Sequence, residues 1–339
     1  MPQAIAESAR CIPVQIASLL TAAILSSCAL CVTFDPATAG PIAGRNETAE
    51  AAPKINPAKI LAAKASPVGP PPAARQAVIA PAGRAYLFRG ALGPIFSRGM
   101  DRLTKRIEEA GVTATVNEFT ICRYIAAKAI RDYRQDPAPV ILIGHSMGGF
   151  CAIKFAEILQ AESIPVSLIV TIDPAHVTPD VPLNVERFIN IFLAHNVLGG
   201  GDVVPAKGYQ GHYASFDLSQ HDEVSHINID KMDSVHEQLL TKILELTATP
   251  AKAEGEGIPI RYVVPAGAAI ELWDSGTPVF SHTGDTLETL AAYYRVPLWS
   301  LSQINQVPDS APLADRQRIV IPRHLAPLAA VSGQPPPKR

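Results

Sequence analysis

The chain has no excess of charge of either sign. Its 339 residues include 29 Lys and Arg against 31 Asp and Glu, so the formal net charge at pH 7 is -2. Basic residues are also not clustered anywhere along the sequence. Because recognition of a phosphate backbone depends on concentrated positive charge, nucleic acid is not expected as a partner.

Cysteine is scarce as well. Three of the five cysteines (Cys11, Cys28 and Cys31) lie near the start of the chain, which leaves Cys122 and Cys151 for the folded part. These two could form one disulfide in an oxidising compartment. We favour the alternative that both are small buried residues, because Cys122 lies on a predicted helix and Cys151 follows a predicted turn.

Compact metal-binding motifs are missing. One stretch of the sequence does contain five side chains of types that can bind a metal ion, namely His212, His221, Asp222, Glu223 and His226. Their spacing includes no motif such as His-Glu-x-x-His. We therefore interpret them as loop residues and expect neither a metal nor another cofactor.

The first 39 residues have the features of an export signal. Arg10 is followed by an apolar run over residues 12–34, and residues 37–39 (ATA) fit the site at which signal peptidase cleaves. Residues 25–28 (LSSC) resemble a bacterial lipobox, which would make Cys28 the lipidated first residue of a mature lipoprotein. An uncleaved membrane anchor is a third alternative, since the run is about as long as a bilayer is thick. Each alternative predicts an exported protein of the bacterial periplasm or cell envelope.

Composition divides the rest of the chain. Residues 40–82 are rich in Ala and Pro with little periodicity, which is typical of an extended linker. We expect a folded domain over residues 83–248, a second linker over 249–276 that could form a β-hairpin, and a small domain over 277–325. Residues 326–339 are expected to form a disordered tail.

The larger predicted domain is organised around an apolar run that ends in a glycine-rich turn. Residues 140–143 (VILI) have the length and branching of a buried parallel strand, and apolar residues after Gly149 recur at helical spacing. The turn between them, residues 144–148 (GHSMG), would hold Ser146 in a strained conformation at a helix N-terminus. Free amides and the helix dipole favour negative charge there. A phosphate-binding loop fits less well, because no Lys follows the glycines.

A plain helix cap is the alternative interpretation of Ser146, since serine is among the best N-cap residues. The strand before the turn and the helix after it favour a nucleophile elbow instead. Residues 144–149 (GHSMGG) resemble the elbow of lipases and esterases of the α/β-hydrolase superfamily. The resemblance implies a Ser-His-Asp hydrolase in which Ser146 is the nucleophile.

Strand and helix patterns alternate around this turn. Outside the elbow, strand patterns occupy residues 85–88, 112–116, 166–172, 188–193 and 213–218. This alternation predicts the α/β fold class with a mostly parallel sheet. Together with the resemblance, it implies a minimal α/β-hydrolase.

Two further residues fit the implied triad. Asp173 directly follows the strand after the elbow strand, so it would lie at the same sheet edge as Ser146. Its segment Ile-Asp-Pro-Ala resembles the one that carries the catalytic acid in pancreatic-type lipases, although an Asp before Pro could also only form a turn. His226 precedes the last helix of the domain, where α/β-hydrolases carry their base, and its context resembles the histidine loop of bacterial lipase-like proteins. His221 is the alternative base.

The resemblance also implies an oxyanion hole formed by the backbone N–H groups of Ala91 and Met147. Ala91 lies in a glycine-containing loop between the first predicted strand and the first predicted helix. Arg89 stands where lipases often have His, which departs from the commoner pattern. Gly90 and Gly93 could instead be ordinary turn glycines.

The C-terminal segment predicts a small α+β domain with the element order βααβ. Residues 283–287 (TGDTL), 291–296 (AAYYRV) and 319–322 (IVIP) resemble the lysin motif (LysM). The resemblance implies binding of peptidoglycan or another glycan that contains N-acetylglucosamine, through two loops that hold Gly284, Asp285, Thr286, Pro308 and Asp309. A module that packs only on its own hydrolase domain is the alternative.

These patterns predict an exported serine hydrolase, a carboxylesterase or lipase-like enzyme, that cleaves a small-molecule or lipid ester through an acyl-enzyme. A LysM module would tether it to the cell wall. The chemistry would lie before Pro250 and the attachment after Thr277, because such a linker needs no rigid docking. A thioesterase is the alternative among enzymes, and an inert peptidoglycan-binding envelope protein is the alternative outside them.

Overall fold

The computed structural model describes residues 82–248 and 257–325. The predicted export signal with Cys28, nearly all of the first linker and the C-terminal tail therefore lie outside the described residues. Among the helices of the described part, none is both long and apolar enough to cross a bilayer.

A parallel sheet of seven strands forms the centre of the fold. In chain order the strands are β1 (Arg84–Arg89), β2 (Thr113–Glu118), β3 (Val140–His145), β4 (Leu168–Ile172), β5 (Arg187–Phe192), β6 (His212–Asp217) and β7 (Ile260–Val263). They are arranged as β2-β1-β3-β4-β5-β6-β7, and every neighbouring pair is parallel. The predicted α/β class with a parallel sheet is confirmed, and the elbow strand β3 lies inside the sheet.

Helices cover both faces of this sheet. The structure contains α1 (Gly93–Phe96), α2 (Arg98–Glu109), α3 (Cys122–Gln135), α4 (Met147–Ala161) and α5 (Asp233–Ala248), with 3-10 turns at Phe119–Ile121 and Ile229–Lys231. Buried side chains of α2 and α5 share one apolar core with the sheet. Those of α3 and α4 share a second core on the opposite face. Burial on both faces explains why the central strands are almost continuously apolar.

Strand β7 departs from the sequence expectation. Its residues fall within the segment expected to be a linker with a β-hairpin, yet they pair in parallel with β6 from Ala214↔Ile260 to Asp217↔Val263. Ile260 and Tyr262 are buried while the residues between and after them are exposed. Four residues are too few for such an alternation to be distinguished from an irregular segment.

The C-terminal module has the predicted strand–helix–helix–strand order. It consists of β8 (Trp273–Phe280), α6 (Leu287–Tyr294), α7 (Leu298–Asn305) and β9 (Arg318–His324). Strands β8 and β9 are antiparallel, and the two helices pack on them around a small apolar core.

This module is also packed onto the hydrolase core. Trp273 is completely buried and makes ring contacts with Tyr262 of β7, at a centroid distance of 5.1 Å, and with Phe216 of β6, at 5.9 Å. Next to it, the buried carboxylate of Asp274 forms an ion pair of 3.4 Å with Lys242 of α5. The expectation of two parts that need no rigid docking is therefore wrong, because the start of β8 belongs to the main core.

The two cysteines in the described part are free thiols. Cys151 is buried, and burial raises the pKa of its thiol. Cys122 is half-buried, and its hydrogen bond with Cys151 lowers the pKa of Cys122 to about 7. The structure thus contains the pair of small packed residues rather than the disulfide.

Candidate active site

The sharp turn after β3 has the geometry of an elbow. Ser146 has φ 56° and ψ -123°, a conformation that non-glycine residues rarely adopt, and Met147 starts α4 directly after it. A Cβ atom on Gly144 would lie 2.1 Å from the carbonyl oxygen of Gly148, and one on Gly148 would lie 2.1 Å from the carbonyl oxygen of Phe88 in β1. Both glycines are therefore needed for the close passage of strand and helix, as the sequence predicts.

Ser146 is held firmly by its backbone. Its N–H donates to the carbonyl of Ile172 at 3.0 Å, and its own carbonyl accepts from Gly149 at 2.9 Å. The residue is only 7% exposed, so most of its surface is covered by the surrounding loops and strands.

Asp173 follows Ile172 at the end of β4 and is completely buried. Its Oδ1 accepts hydrogen bonds from the backbone N–H groups of Leu193 at 3.1 Å and Gly200 at 2.8 Å. Its Oδ2 accepts from the side-chain amide of Asn196 at 2.5 Å and contacts Nδ1 of His226 at 2.6 Å. These donors fix the carboxylate so that one oxygen faces the imidazole.

His226 has one ring nitrogen that does not contact Asp173. Because Nδ1 is engaged by Asp173, Nε2 is the nitrogen left for a proton transfer. The His226 ring contacts the ring of His145, the neighbour of Ser146, at a centroid distance of 4.7 Å. Within the described residues Ser146 Oγ and His226 Nε2 do not form a hydrogen bond, a contact that often tightens only with substrate bound.

The alternative base, His221, and two other ionisable side chains, Asp202 and His212, have other partners. His221 Nδ1 contacts Glu223 at 2.9 Å, and Asp202 pairs with Arg261 through two contacts of 2.8 Å. His212 contacts the hydroxyl of Ser275 at 3.0 Å. In the described part of the chain, no three His, Cys, Asp or Glu side chains gather in a way that could hold a metal ion.

The loop after β1 lies beside the elbow. A Cβ atom on Gly90 would lie 2.7 Å from the Cβ of Ser146, which shows how closely this loop approaches the elbow. The neighbouring Ala91 and the first helical residue Met147 are the two predicted oxyanion donors. Neither backbone N–H donates a hydrogen bond within the described residues, so both are available to a ligand.

Arg89 anchors the start of this loop through two ion pairs. Its guanidinium forms ion pairs with Asp101 of α2 and, at 2.9 Å, with Glu118 of β2. The hydrogen bond with Asp101 raises the pKa of Arg89 above its already high value. The residue that replaces the usual lipase His therefore fixes the start of the loop.

The two predicted glycan loops are neighbours in the module. The N–H of Leu313, shortly after Pro308 and Asp309, donates to the carbonyl of Asp285 at 3.3 Å, and Thr286 pairs with the residue before Leu313. Gly284 has φ 91° and open space around it. The Thr286 hydroxyl caps α6, Asp285 accepts from the N–H of His282 at 2.8 Å, and Asp309 contacts Ser302.

Of three further residues around the elbow, two have no signal in the sequence. Asn196 binds the carboxylate of Asp173, and Ser97 and His145 form hydrogen bonds behind the elbow. His145 was visible only as a member of the elbow motif. The other two lie in loops, where neither periodicity nor spacing reveals which group they will contact.

Comparison with known proteins relates the central segment to thioesterases. Residues 113–187, which include Ser146 and Asp173 but not His226, match the thioesterase domain family. None of the curated proteins matches the chain.

The solved structures that match the chain include one hydrolase and one thioesterase domain. A protein from Xanthomonas campestris pv. campestris assigned to the α/β superfamily of hydrolases is 19% identical, with a TM-score of 0.25, over 37% of this chain and 76% of that one. The NocB thioesterase domain from the nocardicin cluster is 18% identical, with a TM-score of 0.25, over 49% of this chain and 90% of that one. The same domain in covalent complex with a fluorophosphonate nocardicin G analogue is 16% identical, with a TM-score of 0.25, over 49% and 91%. The chain has an α/β fold with a mostly parallel sheet, and it is similar to thioesterase-domain hydrolases over the segment that carries the elbow.

Proposed function

We propose that the protein is a serine hydrolase that cleaves ester bonds through an acyl-enzyme. The observation that carries this proposal is the contact of 2.6 Å between Asp173 Oδ2 and His226 Nδ1, formed at the sheet edge where Ser146 occupies a strained elbow. A buried carboxylate that orients an imidazole beside a serine is the arrangement that activates a hydroxyl for acyl transfer.

The proposed reaction has two halves. His226 Nε2 takes the proton of Ser146 Oγ as the oxygen attacks the carbonyl carbon, and the N–H groups of Ala91 and Met147 bind the oxyanion. The tetrahedral intermediate collapses, and the departing alcohol or thiol takes the proton from His226. Water, activated by the same imidazole, then attacks the acyl-enzyme and releases the acid.

Two substrate classes are supported by different observations. The elbow motif resembles that of lipases and esterases, which favours a carboxylesterase or lipase-like activity on oxygen esters. The match of residues 113–187 to the thioesterase domain family supports thioesters as the second candidate. Both use the same nucleophile, base and oxyanion donors.

The test compares an oxygen ester and a thioester that carry the same short acyl group. We expect the purified wild-type chain to hydrolyse at least one of them and Ser146→Ala to lose that activity, because the variant removes the nucleophile but little packing. Circular dichroism checks that the variant is folded. Undiminished hydrolysis by Ser146→Ala would overturn the proposal, and the ratio of kcat/KM for the two esters identifies the substrate class.

Export and attachment to the cell wall are part of the same proposal. The strand–helix–helix–strand order of the module and the adjacency of its two loops support glycan binding, with peptidoglycan as the expected polymer. The full chain should sediment with purified peptidoglycan and with chitin but not with cellulose, which lacks N-acetyl groups. Equal sedimentation with all three polymers would contradict a LysM-like specificity.

A further inference from the structure

A line of hydrogen bonds runs behind Ser146 and joins the two loops on either side of it. The backbone N–H of Gly90 donates to Ser97 Oγ at 3.1 Å. Ser97 Oγ contacts His145 Nδ1 at 2.8 Å, and His145 Nε2 contacts the backbone carbonyl of His226 at 2.9 Å. One end of the line is thus next to the predicted oxyanion donor, and the other end is the residue that carries the base.

The direction of every bond in this line follows from the end groups. A carbonyl oxygen can only accept, so His145 Nε2 must carry the proton that it donates to His226. In a neutral imidazole Nδ1 is then an acceptor, so the Ser97 hydroxyl must donate to it. The lone pairs of Ser97 Oγ remain to accept the N–H of Gly90. The line is therefore complete with a neutral His145.

The surroundings of His145 agree with this protonation state. The residue is 1% exposed, and burial lowers the pKa of its imidazole to about 4. Ser97 is completely buried between the end of α1 and the start of α2. Neither side chain can exchange its partners for water without opening the core.

We propose that Ser97 and His145 are positioning residues, which set the distance between the oxyanion loop and the His226 loop across Ser146. This proposal rests on the proposed function, because it assigns a role in the same reaction. Ser97 holds the amide of Gly90, so it fixes the direction in which the next amide, that of Ala91, points. His145 holds the backbone carbonyl of His226 while Asp173 holds its ring, so both the main chain and the side chain of the base are fixed.

The kinetic test uses Ser97→Ala, His145→Ala and the double variant with a small activated ester. Each single change should lower kcat by about 10- to 100-fold, somewhat less than the loss of an oxyanion donor, while KM changes little. All three variants break the same line of hydrogen bonds. The kcat of the double variant should therefore be no lower than the kcat of the worse single variant. Losses that multiply in the double variant, or an unchanged kcat in either single variant, would overturn the proposal.

Two further variants separate positioning from stability. His145→Gln keeps an N–H donor at about the reach of Nε2, so it should recover part of the kcat that His145→Ala loses. His212→Gln changes another buried histidine, whose partner is Ser275 of β8, and should leave kcat unchanged. If His145→Gln were no better than His145→Ala, or if His212→Gln were equally damaging, the positioning role would be rejected.

A spectroscopic measurement on the wild-type chain does not depend on any variant being folded. Nitrogen-15 NMR of the imidazoles should show His145 as the neutral tautomer with its proton on Nε2 down to about pH 5. A proton on Nδ1 at neutral pH would contradict the line of hydrogen bonds. A wild-type chain with no esterase activity would overturn the proposed function and the positioning role together, whereas an active wild type with fully active variants would overturn the positioning role alone.

Discussion

At the scale of single residues, the loop that carries His226 is held by a buried carboxylate. Asp230 is completely buried, and its Oδ2 accepts the N–H of Gly99, at the start of α2, at 2.9 Å. Its Oδ1 has no hydrogen-bond partner in the described part of the chain. Burial disfavours the ionised carboxylate, and this raises the pKa of Asp230 to about 6.

This raised pKa predicts how stability depends on pH. In the unfolded chain the carboxyl of Asp230 titrates near pH 4, so between about pH 4 and 6 the folded state holds its proton more tightly than the unfolded state. The stabilising contribution is complete below about pH 4 and is lost as the pH rises through about 6. Asp230→Asn keeps the acceptor for Gly99 but cannot ionise.

Urea unfolding of wild type and Asp230→Asn at pH 4.5 and 7.5 checks this prediction. The free energy of unfolding of the wild type minus that of the variant should be larger at pH 4.5 than at pH 7.5, which means a more stable wild type at the lower pH. The difference should be up to about 3 kcal/mol, which corresponds to a shift of about two pKa units. The same pH dependence in both proteins would show that Asp230 is not the group responsible.

Sequence reasoning at this scale reaches only residues that belong to motifs or to a known chain order. The elbow motif predicts Ser146, and the end of the next strand predicts Asp173. The position before the last helix of the hydrolase domain predicts His226. Asn196 and Asp230 act through contacts with residues far away in the chain, Asp173 and Gly99, which no local pattern encodes. Such contacts exist only once the sheet has brought the loops together.

At the scale of elements, the crossing of β1 and α4 places the nucleophile. The carbonyl oxygen of Phe88 would lie 2.1 Å from a Cβ atom on Gly148, so even one methyl group would push the helix off the strand. A backbone contact cannot be relieved by a side-chain rotation, and the strain would be transmitted to Ser146 two residues away.

Gly148→Ala should therefore destabilise the protein by about 1–3 kcal/mol or more and displace the elbow. Gly208→Ala is the control. Glycine is favoured there by a φ of 91° and not by a close contact, because open space surrounds the position. The control should cost only the backbone strain, about 1–2 kcal/mol, and leave kcat unchanged. Thermal unfolding and ester hydrolysis measure both effects, and a Gly148→Ala variant with wild-type kcat would contradict the role of this crossing.

Elements were predicted best where the pattern was long. The strand expected at residues 112–116 is observed at Thr113–Glu118, and the inner strands β3 to β6 agree within a few residues. The structure differs most at β7, whose four residues depend on an edge that β6 provides. Tertiary pairing rather than local propensity forms this strand.

At the scale of the whole molecule, hydrolase and C-terminal module share buried groups. Asp274 of β8 is completely buried and pairs with Lys242, with Arg187 at 3.6 Å and with Arg323 at 2.7 Å. These ionic contacts join α5, β5 and both strands of the module. Burial by itself would raise the pKa of Asp274, but the contacts with Arg323 and Lys242 lower it. The sequence could not predict this cluster, because its members are spread over more than a hundred residues.

A chain that ends at Lys252 should therefore fail to fold as a stable hydrolase. It lacks β7, Trp273 and Asp274, and the Lys242 side chain, only 2% exposed, loses its buried partner and keeps only Glu245 at 3.0 Å. Loss of one partner of a buried ion pair costs about 3–5 kcal/mol, and loss of a buried Trp costs a similar amount. Together these approach or exceed the stability of a typical domain.

Denaturant unfolding of the truncated chain checks this prediction. The expected result is either insolubility or the absence of a cooperative transition. Asp274→Asn in the full chain is the milder comparison, because it removes only the charge. A truncated chain that unfolds cooperatively and hydrolyses a small ester at the full rate would show that the module is dispensable for the core.

Reaction with a fluorophosphonate probe tests the central claim most directly, because only an activated serine reacts and the adduct can be located by mass spectrometry. Wild type should be labelled once, on the peptide that contains Ser146, and His221→Ala should be labelled at the same rate. Ser146→Ala should not be labelled, and His226→Ala should react slower by roughly three orders of magnitude or more, since the hydroxyl has lost its base. Labelling on a different residue, or equal rates for wild type and His226→Ala, would contradict the assignment of Ser146 as a nucleophile activated by His226.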